Sequence, residues 1–200
     1  MHVWRERLGR WFDGPARRCP LSPNTITVLA LLVNLAAAVA LSRQMFLWGM
    51  ALLILGGFAD AFDGIVARVQ GKSSPFGDFL DHVADRVSDA ALAAGWLIGS
   101  GVAPLLTLAG TVVVMLNGYV GTQIEATFRE RNYESIGRGE FVLALVVYPI
   151  VSHILLTNGW LNAVAGPLRI VDWMALLMIA AGLFGIMQRF SLALRLGRPH

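Results

Sequence analysis

The chain has 200 residues, 56% of them hydrophobic and only 14% charged, with a formal net charge of +3. A soluble domain carries about 25% charged residues, so these values, with a mean hydropathy of +0.62, exclude an ordinary soluble enzyme and leave room for one helical bundle in a membrane. The isoelectric point is near 9.6, but the basic residues are scattered between apolar segments, a pattern that suits a membrane surface and argues against nucleic acid.

The N-terminal stretch places Trp4, Leu8, Trp11 and Phe12 roughly on one helical face, with Arg5, Arg7 and Arg10 elsewhere. This predicts an amphipathic helix lying in the headgroup region. No secretory signal peptide is expected, because these residues are polar and aromatic. Cys19 is the single cysteine, which excludes an intramolecular disulfide. Ser22-Pro23-Asn24 opens a first spanning helix that runs to about Leu41. A second covers about Phe46 to Val69, and a loop with Gly71, Lys72, Ser73, Ser74 and Pro75 leads to a third, about Gly77 to Ile98. After Gly99-Ser100-Gly101 a fourth runs from about Ala103 to Phe128. A charged loop extends to Arg138, a fifth helix covers Gly139 to Leu156, and a loop with Asn158, Gly159, Gly166 and Pro167 precedes a sixth, about Val171 to Leu194.

The expected fold is therefore an all-α integral membrane protein. Six transmembrane helices occupy 21–200, preceded by the interfacial helix in 1–20. Six spans put Arg5, Arg7, Arg10, Arg17, Arg18, Arg68, Lys72, Arg129, Arg131, Arg138, Arg189, Arg195 and Arg198 on one side, and only Arg43 and Arg169 on the other. The positive-inside rule then places both termini on the cytoplasmic face of a cell inner membrane. Gly56-Gly57, Gly118 with Gly121, and Gly182 with Gly185 mark close helix contacts, either within the bundle or across a homodimer face; a homodimer is the expected assembly.

The chemistry concentrates between Asp60 and Asp85. Asp60 and Asp63 share one face of the second helix, and Asp81 and Asp85 one face of the third. Two helices meeting at these ends bring four carboxylates together. Each ionised side chain costs about 2.5 to 3.5 kcal/mol in a bilayer, and the four repel one another. Binding of a hard divalent cation such as Mg²⁺ or Mn²⁺ resolves both problems. Gly64 removes a side chain beside the first pair, and Gly77 opens space at the start of the third helix. Arg68 lies one turn from Gly64 and can fork onto a phosphate, and Ser74 offers a hydroxyl. Carboxylates, divalent metal and one arginine suit a pyrophosphate-containing substrate. Asp78 and Asp89 read instead as solvated surface carboxylates.

The order Asp60-x₂-Asp63-Gly64-x₂-Ala67-Arg68-x₈-Gly77-x₃-Asp81-x₃-Asp85 resembles the signature of the CDP-alcohol phosphotransferases at every defined position. Pro23-Asn24 with Thr27 resembles that family's entry to its nucleotide pocket. The resemblance implies that Asp60, Asp63, Asp81 and Asp85 bind two divalent metal ions, Mg²⁺ or Mn²⁺, and that Asp85 is also the general base. It implies that Asn24, Thr27, Gly64, Ala67, Arg68, Ser74 and Gly77 line the site for the CDP moiety. The implied activity is transfer of a substituted phosphate from a CDP-linked lipid such as CDP-diacylglycerol to an acceptor alcohol, with release of CMP.

Candidates for the acceptor side are Asn117, Tyr119, Gln123, Glu125, Arg129, Arg131, Arg138 and Glu140. Tyr119 through Glu125-Ala126, and Gly139-Glu140 after Arg138, resemble the inositol-phosphate-using branch, from which Gly121, Gln123 and Phe141 depart. Glycerol 3-phosphate and inositol phosphate are the expected acceptors, with serine behind them. A divalent-cation transporter is the first competing class, but the carboxylates gather near one face and Arg68 and Arg86 beside them repel a cation in transit. A membrane prenyltransferase is the second, but its acidic motifs have other spacings.

Overall fold

The computed structural model describes residues 12–128 and 138–197, with the side chains of 138–142 left aside. The segment that carries Trp4, Leu8, Trp11, Arg5, Arg7 and Arg10 lies outside the described residues, as do Arg129 and Arg131. The described chain is all-helical apart from one small hairpin. Residues 12–18 form helix α1. They are followed by α2 (Pro23–Ser42), α3 (Phe46–Val69), α4 (Pro75–Gly99), α5 (Pro104–Phe128), α6 (Arg138–Thr157), β1 (Val164–Ala165), β2 (Leu168–Arg169) and α7 (Ile170–Leu196).

The helix starts follow local chemistry. The Ser22 hydroxyl accepts from the Thr25 amide at 3.2 Å, and Pro23 occupies the first turn of α2. The Ser74 hydroxyl caps α4 in the same way, accepting from the Gly77 amide at 3.1 Å with Pro75 in the first turn. The third predicted helix thus begins two residues earlier than expected, and Gly77 lies inside its first turn. Gly71, at φ +64°, ends α3 and turns the chain toward α4. The loop expected before the last helix contains a two-stranded antiparallel hairpin, Val164 opposite Arg169, turned by Gly166 at φ +69° and Pro167. Its strands are two residues long, too short for any alternation to show in sequence.

Four of the described helices, α2, α3, α5 and α7, are long and apolar enough to cross a membrane, and Leu143–Thr157 of α6 is a shorter apolar stretch. Helix α4 is of spanning length, with 25 residues, but carries Asp78, Asp81, His82, Asp85, Arg86 and Asp89 along it. The outward faces are apolar, with Leu32, Trp48, Phe58, Leu105 and Leu177 among the exposed side chains, the surface of an integral membrane protein.

Helix α2 packs on α3 and α4, α4 on α5, α5 on α7, and α3 on α6. The tightest approach is between α2 and α4. A methyl at Gly95 would collide with the Ala38 backbone, and one at Gly99 with the Leu41 carbonyl. Farther along the same interface the Asn34 amide nitrogen reaches the Ser88 hydroxyl at 3.3 Å. Gly56 of α3 leaves room for the Asn34 carboxamide, so one of the expected small-residue contacts is inside the bundle. The core is built on Leu41, Phe46, Trp96, Leu97, Leu145, Val171 and Met178. Within it the Trp96 indole donates to the Ser152 hydroxyl at 2.9 Å, joining α4 to α6. At the far end from the Asp cluster, the Arg169 guanidinium binds both Asp172 oxygens at 2.8 and 2.9 Å and the Gly101 carbonyl at 2.6 Å. It ties the hairpin to the α4–α5 turn. Helix α1 is anchored at the Asp end, where the Gln70 amide donates to the Ala16 and Cys19 carbonyls at 2.8 and 3.0 Å.

Candidate functional site

The last turns of α3, the first three turns of α4 and the start of α2 converge. Asp60 and Asp63 come from α3, Asp81 and Asp85 from α4. One ligand oxygen each from Asp60, Asp63 and Asp81 lies within 4.8 Å of the others. A second triad of Asp81, His82 and Asp85 meets the same spacing. The two triads share Asp81, so all four carboxylates that the spacing predicts form one continuous cluster. Asp63 and Asp85 are buried, Asp60 and Asp81 half-buried.

Asp63 is oriented from α2. The Thr27 hydroxyl donates to Asp63 Oδ2 at 2.6 Å, and its oxygen also lies 3.1 Å from the Pro23 carbonyl, one turn back. Four closely spaced, partly buried carboxylates with oxygen-only donors fit a hard divalent cation. Mg²⁺ or Mn²⁺ bound there would neutralise the negative charge that these side chains concentrate.

Beside the cluster lies a cavity of about 190 Å³ lined by Pro23, Asn24, Thr27, Asp63, Gly64, Ala67, Lys72, Ser73, Ser74, Gly77, Asp78 and Asp81. Six of the seven residues expected around a CDP moiety are in this wall. Arg68 is the exception. It is exposed, and its Nε donates to the Gly64 carbonyl at 3.2 Å, folded back along α3. Gly77 is closely packed, since a methyl there would sit 3.1 Å from Asn24 Oδ1 and 3.2 Å from Ser74 Oγ and would press on both side chains. At Gly64 a methyl would meet nothing within 4 Å. Its missing side chain widens the cavity.

Sequence reasoning missed Lys72 and Ser73 in the wall, and misread Asp89. Asp89 is buried at 8% exposure, and Arg86 Nη2 lies 3.4 Å from Asp89 Oδ2 and 3.8 Å from Asp85 Oδ2. The available signal was spacing, because Asp81, Asp85 and Asp89 recur every four residues on one face of α4. Asp78 is exposed as expected, with His82 Nε2 at 3.9 Å.

The acceptor-side candidates separate. Asn117 is 1% exposed; its amide donates to the Gly182 carbonyl at 3.0 Å, and its Oδ1 and carbonyl both accept from Arg189. It pins α5 to α7. Arg189, counted above as a surface charge, is thereby buried at 7% exposure, stacked against Gly121. Gly118 and Gly121 make room for the arginines of neighbouring helices, Arg86 and Arg189, instead of bringing backbones together. Tyr119 is exposed and accepts from the Gln123 amide at 2.7 Å, on the outer side of α5. Glu125 is half-buried. The side chains of Arg138 and Glu140 lie outside the described residues.

The sequence profile described as CDP-alcohol phosphatidyltransferase matches residues 20–187. An archaetidylinositol phosphate synthase of Methanothermobacter thermautotrophicus is 26% identical over 94% of this chain and 91% of its own length. A second, from Pyrococcus horikoshii, is 38% identical over 47% of this chain, and the match spans 52% of that protein. Among solved structures, the fold is shared with Mycobacterium tuberculosis phosphatidylinositol phosphate synthase in complex with manganese and citrate. The TM-score is 0.71 at 24% identity, over 90% of this chain and 87% of that one. The same mycobacterial protein with CDP-DAG bound gives 0.67 at 19% identity, over 91% of each chain.

Proposed function

The chain belongs to the CDP-alcohol phosphatidyltransferase family, and from that premise we propose that it transfers the lipid phosphate of a CDP-linked diradyl lipid to an inositol phosphate, releasing CMP. The observation that carries this reading is the convergence of Asp60, Asp63, Asp81 and Asp85 beside a cavity walled by Asn24, Thr27, Gly64, Ala67, Ser74 and Gly77. A cation transporter has no use for that cavity, and the spacing belongs to no prenyltransferase motif.

The cytidine half occupies the cavity, approaching the α3 backbone where Gly64 has no side chain. Lys72 and Ser73 flank it. Arg68, released from the Gly64 carbonyl, swings onto the pyrophosphate as a two-pronged donor. A pair of divalent ions held by Asp60, Asp63, Asp81 and Asp85 would supply charge neutralisation for the pyrophosphate and for departing CMP. Asp85 accepts the proton of the acceptor hydroxyl. The hydroxyl oxygen then bonds to the β-phosphorus, and the bond from that phosphorus to the bridging oxygen breaks, leaving the electron pair on CMP. The lipid tails stay against the apolar outer faces of the helices.

Of the acceptors left open by the sequence, inositol phosphate is favoured over glycerol 3-phosphate and serine by the names of the relatives. Arg129, Arg131 and Arg138 are the cations proposed for its phosphate. The domain at 21–200 spans the membrane six times, with α4 as a span whose charged face turns to the site. The Asp cluster, α1 and the close of α7 face the cytoplasm of an inner membrane, and the protein works as a homodimer. Purified protein in lipid nanodiscs, given Mn²⁺ or Mg²⁺, CDP-diacylglycerol or CDP-archaeol, and a panel of inositol phosphate, glycerol 3-phosphate and serine, tests the reading. CMP release with inositol phosphate alone is expected, and no release with any combination overturns it.

A further inference from the structure

Among the described residues, Arg86 is the guanidinium that keeps a buried nitrogen without a hydrogen-bond partner. Arg169 and Arg189, the other described arginines that are not exposed, are better satisfied. Arg169 makes four hydrogen bonds through its side chain, and Arg189 donates to both oxygens of Asn117. Arg86 is 18% exposed, its Nε is buried without a hydrogen-bond partner, and its Nη2 faces Asp85 and Asp89 at 3.8 and 3.4 Å. Both separations are ion-pair distances longer than a charge-assisted hydrogen bond. A structural salt bridge in an apolar bundle is costly unless its hydrogen bonds are complete. This one is incomplete, yet the fold is shaped around it, because α5 has no side chain at Gly118, where a methyl would collide with the guanidinium.

The location supplies the reason. Asp85 lies between the carboxylate cluster on one side and the Arg86 guanidinium, backed by α5, on the other. A carboxylate that both faces a cation site and accepts a proton needs its two oxygens in different surroundings. Otherwise both turn to the cations and neither is left for the hydroxyl. We propose that Arg86 is a positioning residue for the transfer reaction: seated in the Gly118 notch and counterbalanced by Asp89, it holds Asp85 Oδ2 toward α5 and so fixes the rotation of the Asp85 carboxylate. The proposal rests on the reaction assigned above, with Asp85 as its base.

The test uses the full chain in nanodiscs. CMP release gives kcat and KM, titration of Mn²⁺ followed by electron paramagnetic resonance gives ion affinity, and thermal unfolding gives stability. Arg86→Gln and Gly118→Ala are each expected to lower kcat about 100-fold, the loss that a misplacement of about 1 Å brings. KM for the CDP-lipid is expected to stay within about threefold, since the cavity is untouched, and Mn²⁺ affinity is expected not to fall, since Asp60, Asp63 and Asp81 keep their places and a released Asp85 carboxylate turns toward the ions. Arg86→Lys keeps the charge and is expected to recover at least tenfold of the Arg86→Gln loss. A folded Arg86→Gln or Gly118→Ala protein with kcat within threefold of wild type overturns the proposal, as does a loss confined to KM or to Mn²⁺ affinity. If neither variant folds, Arg86→Lys is judged against wild type, with a tenfold fall in kcat at undiminished Mn²⁺ affinity expected and wild-type kcat overturning the idea. Failure of the underlying reaction is distinct, because it shows as no CMP release by the wild-type protein.

Discussion

Thr27 is a small side chain with a directing role, since its hydroxyl on α2 fixes a carboxylate on α3. Partners that orient a metal-binding carboxylate are worth about 10- to 100-fold in metal affinity. Thr27→Val should therefore weaken Mn²⁺ binding at least tenfold, read by titration of bound Mn²⁺, with the melting temperature little changed. Asp85→Asn keeps size and burial but cannot accept the hydroxyl proton. Turnover should fall by about 10²- to 10⁴-fold, the usual contribution of a general base, in a protein that still elutes as a folded species. Wild-type turnover in that variant would remove Asp85 from its assigned role. At this scale the four carboxylates and Gly64 were legible because their spacing carries the information. Arg189 was not, because an arginine toward the end of an apolar helix has the same sequence appearance whether a glycine on the next helix makes room for it or not, and Asp89 was legible only as the third step in the spacing of Asp81 and Asp85.

Helix limits were legible mainly where a side chain enforces them. Ser22-Pro23 caps α2 and Gly71 is a left-handed stop after α3, both where expected, whereas the equal capping pair Ser74-Pro75 reads as loop in the sequence, which puts the start of α4 two residues late, at Gly77. What one sequence does not display is the partner of each helix face. Gly95 looks like an ordinary residue of an apolar helix and Gly99 like the start of the following turn, and only the packing of α4 on α2 reveals that a side chain at either meets backbone. Gly95→Ala should cost about 1 to 3 kcal/mol through overpacking, seen as a lower melting temperature in detergent. Gly57→Ala, where a methyl meets nothing within 4 Å, should leave the melting temperature at or slightly above that of wild type. Equal effects at the two positions would refute the contrast.

For the molecule as a whole, the charge bias and the fold make a shared prediction. Lys72, on the α3–α4 turn, and Val164, on the exposed hairpin, lie at opposite ends of the bundle. In a Cys19→Ser background, Val164→Cys should react with an impermeant maleimide applied from outside intact cells, and Lys72→Cys only after lysis. The reverse pattern would invert the proposed topology. The α2–α4 seam has one further consequence for the whole bundle. At its hairpin end the seam is backbone against backbone, at Gly95 and Gly99, with no side chain able to yield. At its other end the same two helices meet through Asn24, Ser74 and Gly77, around an open cavity. Closeness is thus graded along the pair, as in a clothes peg pinched at one end. A spacer wedged between the helices at the hairpin end would have to displace backbone, while at the cavity end it would meet only side chains.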